Sequence, residues 1–550
     1  MRIKFCLISL FLTIPIFARN IKVSIFHTTD IHGYVFPYIN HTTGKEIGSF
    51  ASMVPILERY RKAGRAFLFL DTGDIFQGTL EDEVSKGGII TRIMNEPLLG
   101  YTARGIGNHD FDYGASITRV MAKRVNFPII CTNIHSKGSN LLDYKKDYLL
   151  VTAAGFKFGI FALLSSHTPL YSFPENIKGI TFQPEEMYIK KMTRKLRNKG
   201  ADFIILLSHV GFLRVSGADP NSYTSLRPGL LQKILDQDDA DFNNNIDIIV
   251  DGHSHNLLYK EYEENPATKR DNTYLAQAGN YGEYLGELEL NIDRVSKSIQ
   301  EVKSRFHHLE VEKNQLSEKF LNKYRKERLY SAELNDGHIA STTSDFLLKH
   351  HLTAPFQSDL AAFAVARAFF GYAKSNGMEV DLALVNNPGI RYHLFSRQGR
   401  ITREAIHKIC PFKNKLVKFS LSGKDLLDVF ADNGRMLTYY GAKMTFIGKD
   451  FKKTGPGIRP VKLVLLKGEK MIPVKPEAEY TVVTPSFLAQ TGEFLIRKLR
   501  KNQEELKGID QEALSWYLQK ISLDLKKQNR LLSREYFADM VKKSLEIQWK

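Results

Sequence analysis

The feature that most constrains this chain is a series of short apolar runs, each of which ends in a cluster of polar residues. Runs of four or five residues bounded by Gly and Asp are typical of buried strands in an α/β sheet. They occur at Val23–Phe26, Phe67–Leu70, Phe203–Leu207 and Ile246–Val250. Longer segments of helical character separate them, so residues 21–296 are predicted to form one α/β domain.

The polar clusters follow the carboxyl ends of the predicted strands, where open α/β sheets carry their functional sites. Besides His109 and Asp110, they supply two carboxylates, four imidazoles and an amide. Imidazole and carboxylate ligands suit zinc, manganese or iron rather than calcium. The clusters are Asp30-Ile31-His32, Gly73-Asp74, Gly107-Asn108-His109-Asp110, Ser208-His209 and Gly252-His253-Ser254-His255.

The spacing within the clusters favours two metal ions. In an extended chain, residues i and i+2 face the same way, so the D-x-H at residues 30–32 and the H-x-H at residues 253–255 can each converge on neighbouring ions. Asp74 has two carboxylate oxygens and can bridge two cations about 3.5–4 Å apart. A single D-x-H is far more often structural than ligating, but five such clusters in order reverse that expectation.

The clusters lie within longer motifs that resemble those of a known family, the 5′-nucleotidase and UDP-sugar hydrolase branch of the calcineurin-like metallophosphoesterases. The resemblance covers nearly the whole first domain. The motifs are HTTDIHG at residues 27–33, DTGD at 71–74, GNHDFDYG at 107–114, LSHVG at 207–211, DGHSH at 251–255 and QAGNYGEYLG at 277–286.

The resemblance implies an α/β fold with a four-layer α/β/β/α metallophosphoesterase domain and a smaller C-terminal α/β domain that binds the substrate. It also implies two divalent metal ions, zinc or manganese, which would activate a hydroxide that attacks phosphorus. His109 and Asp112 match the family's catalytic pair, although Asp112 could instead cap a helix. One ion is expected to bind Asp30, His32, Asp74 and His255, and the other Asp74, Asn108, His209 and His253.

The second domain resembles its family counterpart less closely. Residues 386–391 line up with the family's N-G-G-x-I-R, in which Asn386 and Arg391 match residues that contact the substrate. Two later stretches put Phe412 and Phe487 at the positions of two rings that sandwich a nucleobase, a contact worth about 1–3 kcal/mol per base. Without these motifs, either phenylalanine would be read as a core residue.

Three departures from the family pattern weaken the nucleotide interpretation. Asn387 and Pro388 replace two glycines of a loop that approaches the ligand closely. Glu493 stands at best where the family has a ribose-contacting aspartate, and Ala354 lies where relatives carry a further arginine. We therefore expect nucleotide affinity to be relatively weak.

Hydrolysis of nucleoside 5′-phosphates or related nucleotides to nucleoside and phosphate is the expected function. One alternative keeps the metal chemistry but acts on cyclic nucleotides, UDP-sugars or a non-nucleotide ester. Another is a surface binding protein with a degenerate substrate domain, against which the complete ligand set argues. The net charge of +17 favours anionic partners. Because the basic residues are interspersed with acids, no specific nucleic-acid site is expected, and protein partners are not indicated.

The ends of the chain and the joint between domains can also be assigned. Residues 1–18 read as a signal peptide, because a charged start precedes an uncharged run and a small residue. A periplasmic or secreted enzyme without a transmembrane segment is therefore expected. Residues 297–337 are predicted to form a linker helix, residues 338–501 the C-terminal domain, and residues 502–550 a helical tail. Cys131 and Cys410 are expected to be buried thiols, since two distant cysteines make no disulfide framework.

Overall fold

The structure is a computed structural model that describes most of the chain. The described residues are 20–136, 140–211, 246–258, 268–270, 273–348, 359–433, 437–447, 459–467, 470–491 and 496–544. The signal peptide predicted at residues 1–18, and the localisation drawn from it, stay predictions because those residues lie outside the described part. The departures at Ala354 and Glu493 also lie outside it. Cys131 and Cys410 are buried free thiols, as expected. Within the described residues, no helix is both long enough and apolar enough to cross a membrane.

The first domain is built on two sheets. The first sheet contains, from edge to edge, β17 (Ser298–His308), β16 (Tyr284–Asp293), β1 (Asn20–Thr28), β4 (Phe67–Asp71), β5 (Ala103–Arg104), β6 (Ile129–Ile130) and β8 (Lys145–Lys146). The second contains β14 (Thr268–Arg270), β15 (Thr273–Ala276), β13 (Ile248–Val250), β12 (Phe203–His209), β10 (Phe156–Leu164) and β9 (Tyr148–Ala153). Strands β1, β4 and β5 are parallel, as are β10, β12, β13 and β15, so their carboxyl ends meet at shared edges.

The described chain also contains helices and short strand pairs. The helices are α1 (Phe50–Lys62), α2 (Leu80–Ser85), α3 (Gly88–Met94), α4 (Ala115–Ala122), α5 (Thr168–Tyr171), α6 (Glu186–Asn198), α7 (Gln315–Lys323), α8 (Arg325–Asn335), α9 (Leu360–Ser375), α10 (Arg403–Ile409), α11 (Gly423–Asn433), α12 (Ser486–Gln490), α13 (Ile496–Leu499), α14 (Asp510–Lys527) and α15 (Arg534–Ser544). The pairs are β2 (Tyr38–Ile39) with β3 (Glu46–Ile47), β7 (Ile134–Ser136) with β11 (Ile180–Phe182), β18 (His338–Ser341) with β22 (Arg400–Thr402), and β19 (Phe346–Leu348) with β21 (Leu394–Ser396).

The buried side chains of the first domain explain its four layers. In β1, Val23 and Ile25 belong to a core that contains residues of both sheets. Phe26 belongs to a different core, together with residues of α1 and α3, because successive side chains of a strand point to opposite faces. On the far side, Met192 of α6 packs with Ile204 of β12. The expected α/β/β/α architecture is confirmed.

The joint between the domains differs from its prediction. The linker helix expected over residues 297–337 begins instead with β17, an edge strand of the first sheet, and its helices start only at Gln315. Ile299 and Val302 of β17 pack on the core between the sheets, while alternate charged residues are exposed. The helical expectation was wrong here because a strand with one solvated face also reads as a charged, mixed segment.

The second domain has a sheet covered on both faces. Its five-stranded sheet contains, from edge to edge, β24 (Leu437–Tyr440), β20 (Leu382–Asn386), β28 (Glu479–Pro485), β23 (Lys415–Ser422) and β29 (Lys501–Ile509). A three-stranded sheet contains β25 (Ala442–Ile447), β26 (Arg459–Lys467) and β27 (Lys470–Pro473). Val385 and Val483 pack with α9 and α14 on one face. Leu384 and Val482 pack with α11 and the three-stranded sheet on the other.

The C-terminal tail is a part of the second domain. Residues 502–550 were expected to be helical throughout, but their first residues complete β29, whose register pairs it with β23. In this strand the buried hydrophobic residue is Leu506. Helix α14 then packs along α9 through Leu514 and Leu518, which are fully buried. The described tail therefore forms an edge strand and a helical layer of this domain.

Candidate metal centre

Two groups of side chains meet where the carboxyl ends of the parallel strands come together. The first group is Asp30, His32 and His255, and the second is Asp74, His209 and His253. Within each group, the candidate ligand atoms lie within 4.8 Å of one another. Six of the seven predicted ligands are thus brought together, in the two sets that the family resemblance implied.

The spacing of these residues was interpreted with an extended backbone, but the backbone here is not extended. Asp30 and His32 have φ of 51° and 49°, and His253 and His255 have φ of 72° and 56°. This left-handed conformation is uncommon for residues other than glycine, and such residues cluster at functional sites. The two members of the D-x-H join one group, whereas those of the H-x-H join different groups. The predicted extended geometry was therefore wrong, because tight left-handed turns direct these side chains.

Asp74 lies between the two groups. Its Oδ2 atom is 3.0 Å from Nε2 of His209 and 3.9 Å from Nε2 of His32, so one carboxylate faces both groups. Its Oδ1 atom accepts a hydrogen bond of 2.7 Å from the backbone N–H of His109. A Cβ atom on Gly107 would meet Oδ1 at 2.1 Å, which explains why the GNHD motif begins with glycine. This position suits a carboxylate that bridges two cations.

Asn108 directly precedes His109, whose backbone N–H donates to Asp74 of the second group. The Asn108 side chain is 2% exposed, and within the described residues no donor reaches its Oδ1 atom. A buried amide oxygen without a partner is destabilising unless another group, such as a cation, takes its lone pair. A donor set of imidazoles, carboxylates and an amide oxygen fits divalent metal ions of the zinc and manganese kind.

Backbone carbonyls behind two histidines fix which ring nitrogen faces the centre. Nδ1 of His32 lies 2.8 Å from the carbonyl oxygen of Gln77, and Nδ1 of His209 lies 3.1 Å from that of Thr72. Since a carbonyl oxygen only accepts, Nδ1 carries the proton whenever either ring is neutral, and Nε2 then has the lone pair that a metal ion needs. The local chain therefore sets the neutral tautomer of both candidate ligands.

The centre combines charged and neutral groups in a water-poor environment. Burial lowers the pKa of His32 and of His253 to about 3, so both rings are neutral at physiological pH. Burial opposes the charge of His209, but Asp74 and Asp30 raise the pKa of His209 to about 10. Burial raises the pKa of Asp30 well above its usual range. Burial acts the same way on Asp74, yet neighbouring His209 holds the pKa of Asp74 well below its usual range.

His109 and Asp112 are in direct contact beside the two groups. Nδ1 of His109 lies 2.7 Å from Oδ2 of Asp112, and Nε2 lies 2.5 Å from Nη2 of Arg391. A guanidinium can only donate, so Nε2 accepts and Nδ1–H donates to Asp112. Burial raises the pKa of Asp112, and the contact with His109 opposes that rise. The helix-cap alternative for Asp112 is not observed, because Gly114 occupies the N-cap of α4.

Two predicted substrate contacts of the second domain reach the same place. The guanidinium of Arg391 lies over the ring of Phe412, 5.1 Å from its centroid. Phe412 is also stacked with His109, with ring centroids 5.5 Å apart and planes 19° apart. The two domains are thus in contact at the candidate centre, and Arg391, Phe412 and His109 form one cluster.

The other two predicted contacts lie in different surroundings. Asn386 is buried at the end of β20, and a Cβ on Gly389 would meet its Oδ1 atom at 2.8 Å. Phe487 packs edge-on against Phe173 of the first domain, with ring centroids 5.9 Å apart. Asn387, one of the departures, accepts a hydrogen bond from Thr438 at 2.7 Å. Its replacement of glycine therefore ties the loop to β24.

Sequence reasoning missed several residues around the centre. Asn280 lies behind His255, with its amide nitrogen 2.9 Å from Nδ1 of the ring. The QAGNYG motif contains Asn280, but no rule of spacing assigns it a partner. Gln77 donates a hydrogen bond of 2.7 Å to the carbonyl oxygen of Pro411 and so ties the two domains together. Lys408, which lines a small cavity with His32 and Arg391, was also missed, because its neighbours come from distant parts of the chain.

Family models match both domains of the chain. The model for calcineurin-like phosphoesterase matches residues 23–257, and that for the 5′-nucleotidase C-terminal domain matches residues 342–496. The two matches cover more than two-thirds of the sequence. The chain belongs to the calcineurin-like phosphoesterases. It carries a 5′-nucleotidase C-terminal domain, as its motifs had implied, and it is a metal-dependent phosphoric ester hydrolase.

This phosphoesterase is similar to known proteins along most of its length. It is 25% identical to 5′-nucleotidase of Bos taurus, over 92% of this chain and 90% of the relative. It is 24% identical to protein UshA of Yersinia enterocolitica, over 92% of each chain. The crystal structure of a 5′-nucleotidase precursor from Thermus thermophilus matches with a TM-score of 0.74 at 22% identity, over 91% of this chain and 96% of that one. At that identity the match shows a shared fold.

The family and the two groups of ligands together support two divalent metal ions in this phosphoesterase. The groups are adjacent, since Nε2 of His255 lies 3.5 Å from Oδ1 of Asp30, which in turn lies 3.9 Å from Nε2 of His209. Two cations so close need a shared anionic ligand between them. Asp74 has the position and the charge for this.

Proposed function

We propose that this chain hydrolyses nucleoside 5′-phosphates or related nucleotides to a nucleoside and inorganic phosphate, outside the cytoplasm. The observation that carries the proposal is the hydrogen bond between Arg391 and His109, which joins the substrate-binding motif of the second domain to the catalytic motif of the first. Similarity to enzymes named 5′-nucleotidase over most of the chain supports the same substrate class.

The metal ligands are proposed as the family pattern implies. Asp74 would bridge the ions, and Asn108 would complete the second site through its buried oxygen. Zinc or manganese is proposed because each set offers two imidazole nitrogens beside its oxygen donors. When bound, such ions lower the pKa of coordinated water and neutralise phosphoryl oxygens. The proposed first set is Asp30, His32, Asp74 and His255, and the proposed second set is Asp74, Asn108, His209 and His253.

His109 is proposed to act on the leaving ester oxygen. Its ring is oriented by Asp112 through Nδ1–H, which leaves Nε2 directed at Arg391. A phosphate ester that binds between the two residues would separate Nε2 from the guanidinium. Arg391 would then donate to phosphate oxygens, and Nε2, once protonated, would donate to the departing oxygen.

The base and ribose would extend into the second domain. Phe412 lies beside His109 and under Arg391, while Phe487 stands against Phe173. We propose that a nucleobase stacks on Phe412 and Phe487 when the nucleotide is bound, and that Asn386 contributes a polar contact. Each aromatic face supplies about 1–3 kcal/mol per stacked base.

A phosphate-release screen tests the proposal. The purified chain, supplied with zinc or manganese, is assayed against nucleoside 5′-monophosphates, cyclic nucleotides, UDP-glucose and p-nitrophenyl phosphate. The highest kcat/KM is expected for a nucleoside 5′-monophosphate. A preference for UDP-glucose, a cyclic nucleotide or the aryl ester would replace the substrate class while keeping the chemistry. Release from none of them, in preparations that contain both metal ions, would refute the proposed function.

A further inference from the structure

Lys408 occupies an aromatic cage that is built by both domains. The residue belongs to α10 of the second domain, and its side chain is 5% exposed. The ammonium lies 5.4 Å from the ring centroid of Tyr34 and 5.3 Å from that of Tyr38, both in the first domain. It lies 5.3 Å from Tyr392 and 5.9 Å from Phe395 of the second. Four rings from two domains thus surround one buried cation.

The lysine is charged within this cage. Glu404, one turn earlier on α10, lies 2.6 Å from the ammonium and is 29% exposed. Burial opposes the charge on Lys408, but Glu404 raises the pKa of the lysine above its usual value. A desolvated ammonium over aromatic faces is attracted by the negative face of each ring. Separation of the domains would remove Tyr34 and Tyr38 from the cation, so the cage favours the docked arrangement.

A second set of contacts joins the same two regions. The backbone N–H of His41 donates a hydrogen bond of 3.1 Å to the Tyr392 hydroxyl, and the His41 ring stacks on Phe395 with centroids 3.7 Å apart. His41 lies between β2 and β3 of the first domain, in the loop of the hairpin that contributes Tyr38. The rings of Tyr392 and Phe395 are therefore held between this hairpin and the lysine.

The cage is directly connected to Arg391. Tyr392 follows Arg391 in sequence, and the backbone N–H of Arg391 donates a hydrogen bond of 3.1 Å to the carbonyl oxygen of Ile409, the neighbour of Lys408. On its other side, the carbonyl oxygen of Arg391 accepts a hydrogen bond of 3.4 Å from Tyr281. Arg391 and Lys408 also line one small cavity beside His32. A shift of the cage would thus move the backbone that carries the guanidinium.

We propose that Lys408 is a positioning residue, whose ammonium, caged by rings of both domains, keeps the second domain docked so that Arg391 reaches His109. The inference rests on the proposed function for its kinetic consequence. Its structural part, the docking of the domains, stands independently of which ester is hydrolysed.

A double-mutant cycle tests whether Lys408 acts through Arg391. Lys408→Met keeps the length and apolar packing of the side chain but removes the charge, and is expected to lower kcat/KM for the preferred ester by about 10- to 100-fold. In an Arg391→Ala background, the same change is expected to cost less than about 3-fold, because the group being positioned is already gone. Lys408→Arg, which keeps a charge that stacks on rings, is expected to recover most of the loss.

Two controls separate positioning from loss of fold. Lys424→Met changes an exposed lysine of α11 that pairs with Asp428 one turn away, and is expected to leave kcat/KM within about 2-fold. The melting temperature of each variant and its metal content show whether the first domain stays intact. If Lys408→Met costs as much without Arg391 as with it, the positioning role is refuted.

An interdomain distance gives a readout that needs no substrate. Nitroxide labels on cysteines introduced at Lys62 of α1 and Lys526 of α14, both exposed, report the distance between the domains by electron–electron double resonance. Lys408→Met is expected to broaden the distribution and add a second distance that wild type lacks. An unchanged distribution would refute the inference even if nucleotides are hydrolysed, whereas failure of wild type to release phosphate would refute the proposed function alone.

Discussion

The proposed metal centre and the proposed substrate contacts beside it are positioned by different means. The proposed ligands are aimed by their own backbone: left-handed turns follow the strand ends, and Gly107 lets Asp74 approach closely. Arg391 and Phe412, in contrast, reach His109 only because a second domain is docked there. The first arrangement is built into local chain geometry, and the second depends on contacts between distant segments. Substitutions should therefore act on the two sides in different ways.

The largest effect is expected for Asp74→Asn. The amide lacks the charge and the second strong oxygen that a bridge between two cations requires, so turnover should become undetectable and at least one metal ion should be lost. Metal content by mass spectrometry and phosphate release are measured on the same preparation. Retention of both ions with a near-normal rate would show that another residue forms the bridge.

His109→Ala comes next, and it separates chemistry from metal binding. A fall in kcat of about 10²- to 10⁴-fold is expected with both ions still bound, since general acid assistance has that typical size. Asp112→Asn should lower kcat less, because it keeps a hydrogen-bonding oxygen near Nδ1. Metal loss in the alanine variant would instead identify His109 as a ligand, and an unchanged kcat would remove it from the mechanism.

Asn280→Ala tests whether the hydrogen bond between Asn280 and His255 strengthens metal binding. With Nε2 of His255 on a metal ion, Nδ1 carries the proton, and the side-chain oxygen of Asn280 becomes its acceptor once the amide is turned. Metal affinity measured by competition with a chelator should fall by about 10- to 100-fold, while kcat at saturating metal changes little. Asn280→Asp, which keeps an acceptor, should restore affinity; equal losses in both variants would contradict the role.

Phe487→Ala is expected to have the smallest effect and to distinguish the two aromatic rings. Its KM for a nucleotide should rise roughly 5- to 30-fold, or about 1–2 kcal/mol, with turnover of p-nitrophenyl phosphate unchanged. Phe412→Ala should affect both substrates, since that ring also stacks with His109 and lies under Arg391. If Phe487→Ala slows both substrates equally, Phe487 is a core residue and the base-binding proposal fails.

The residues of the proposed metal centre could be predicted from sequence, because most of them directly follow a recognisable strand. The apolar runs at residues 67–70 and 203–207 become strands β4 and β12, and the polar residues that follow them meet at the sheet edges. Spacing alone did not reveal the left-handed turns at Asp30 and His32. Extended geometry is only one of the conformations by which i and i+2 residues can converge.

The main errors in the predicted secondary structure lie at two edge strands. In β29 the single buried hydrophobic residue is Leu506, and the surrounding Lys and Glu residues favour a helix by intrinsic propensity. Pairing with β23 overrides that preference, and charged residues are tolerated because the strand has a free edge. The same reasoning explains why β17 was predicted as part of a linker helix.

The interdomain contacts could not be read from sequence at all. Glu404 and Lys408 have the i, i+4 spacing of an ordinary exposed ion pair on a helix. Only the fold shows that Tyr34 and Tyr38, far away in the sequence, close over the lysine. Without an alignment of related sequences, no pattern links such residues.

Stability and activity make opposite demands on the backbone of the proposed centre. Five of the seven proposed ligands have left-handed backbone: Asp30, His32, Asp74, His253 and His255. Glycine adopts this conformation without the steric penalty of a side chain, which amounts to about 1–2 kcal/mol per residue for most amino acids, and the histidine and aspartate of the centre retain part of it. Glycine at one of these positions would relieve the strain, but it would also leave a cavity and remove a proposed metal ligand. The strain therefore has a use only in a copy of the chain that still catalyses, and loss of these side chains would mark a copy that no longer does.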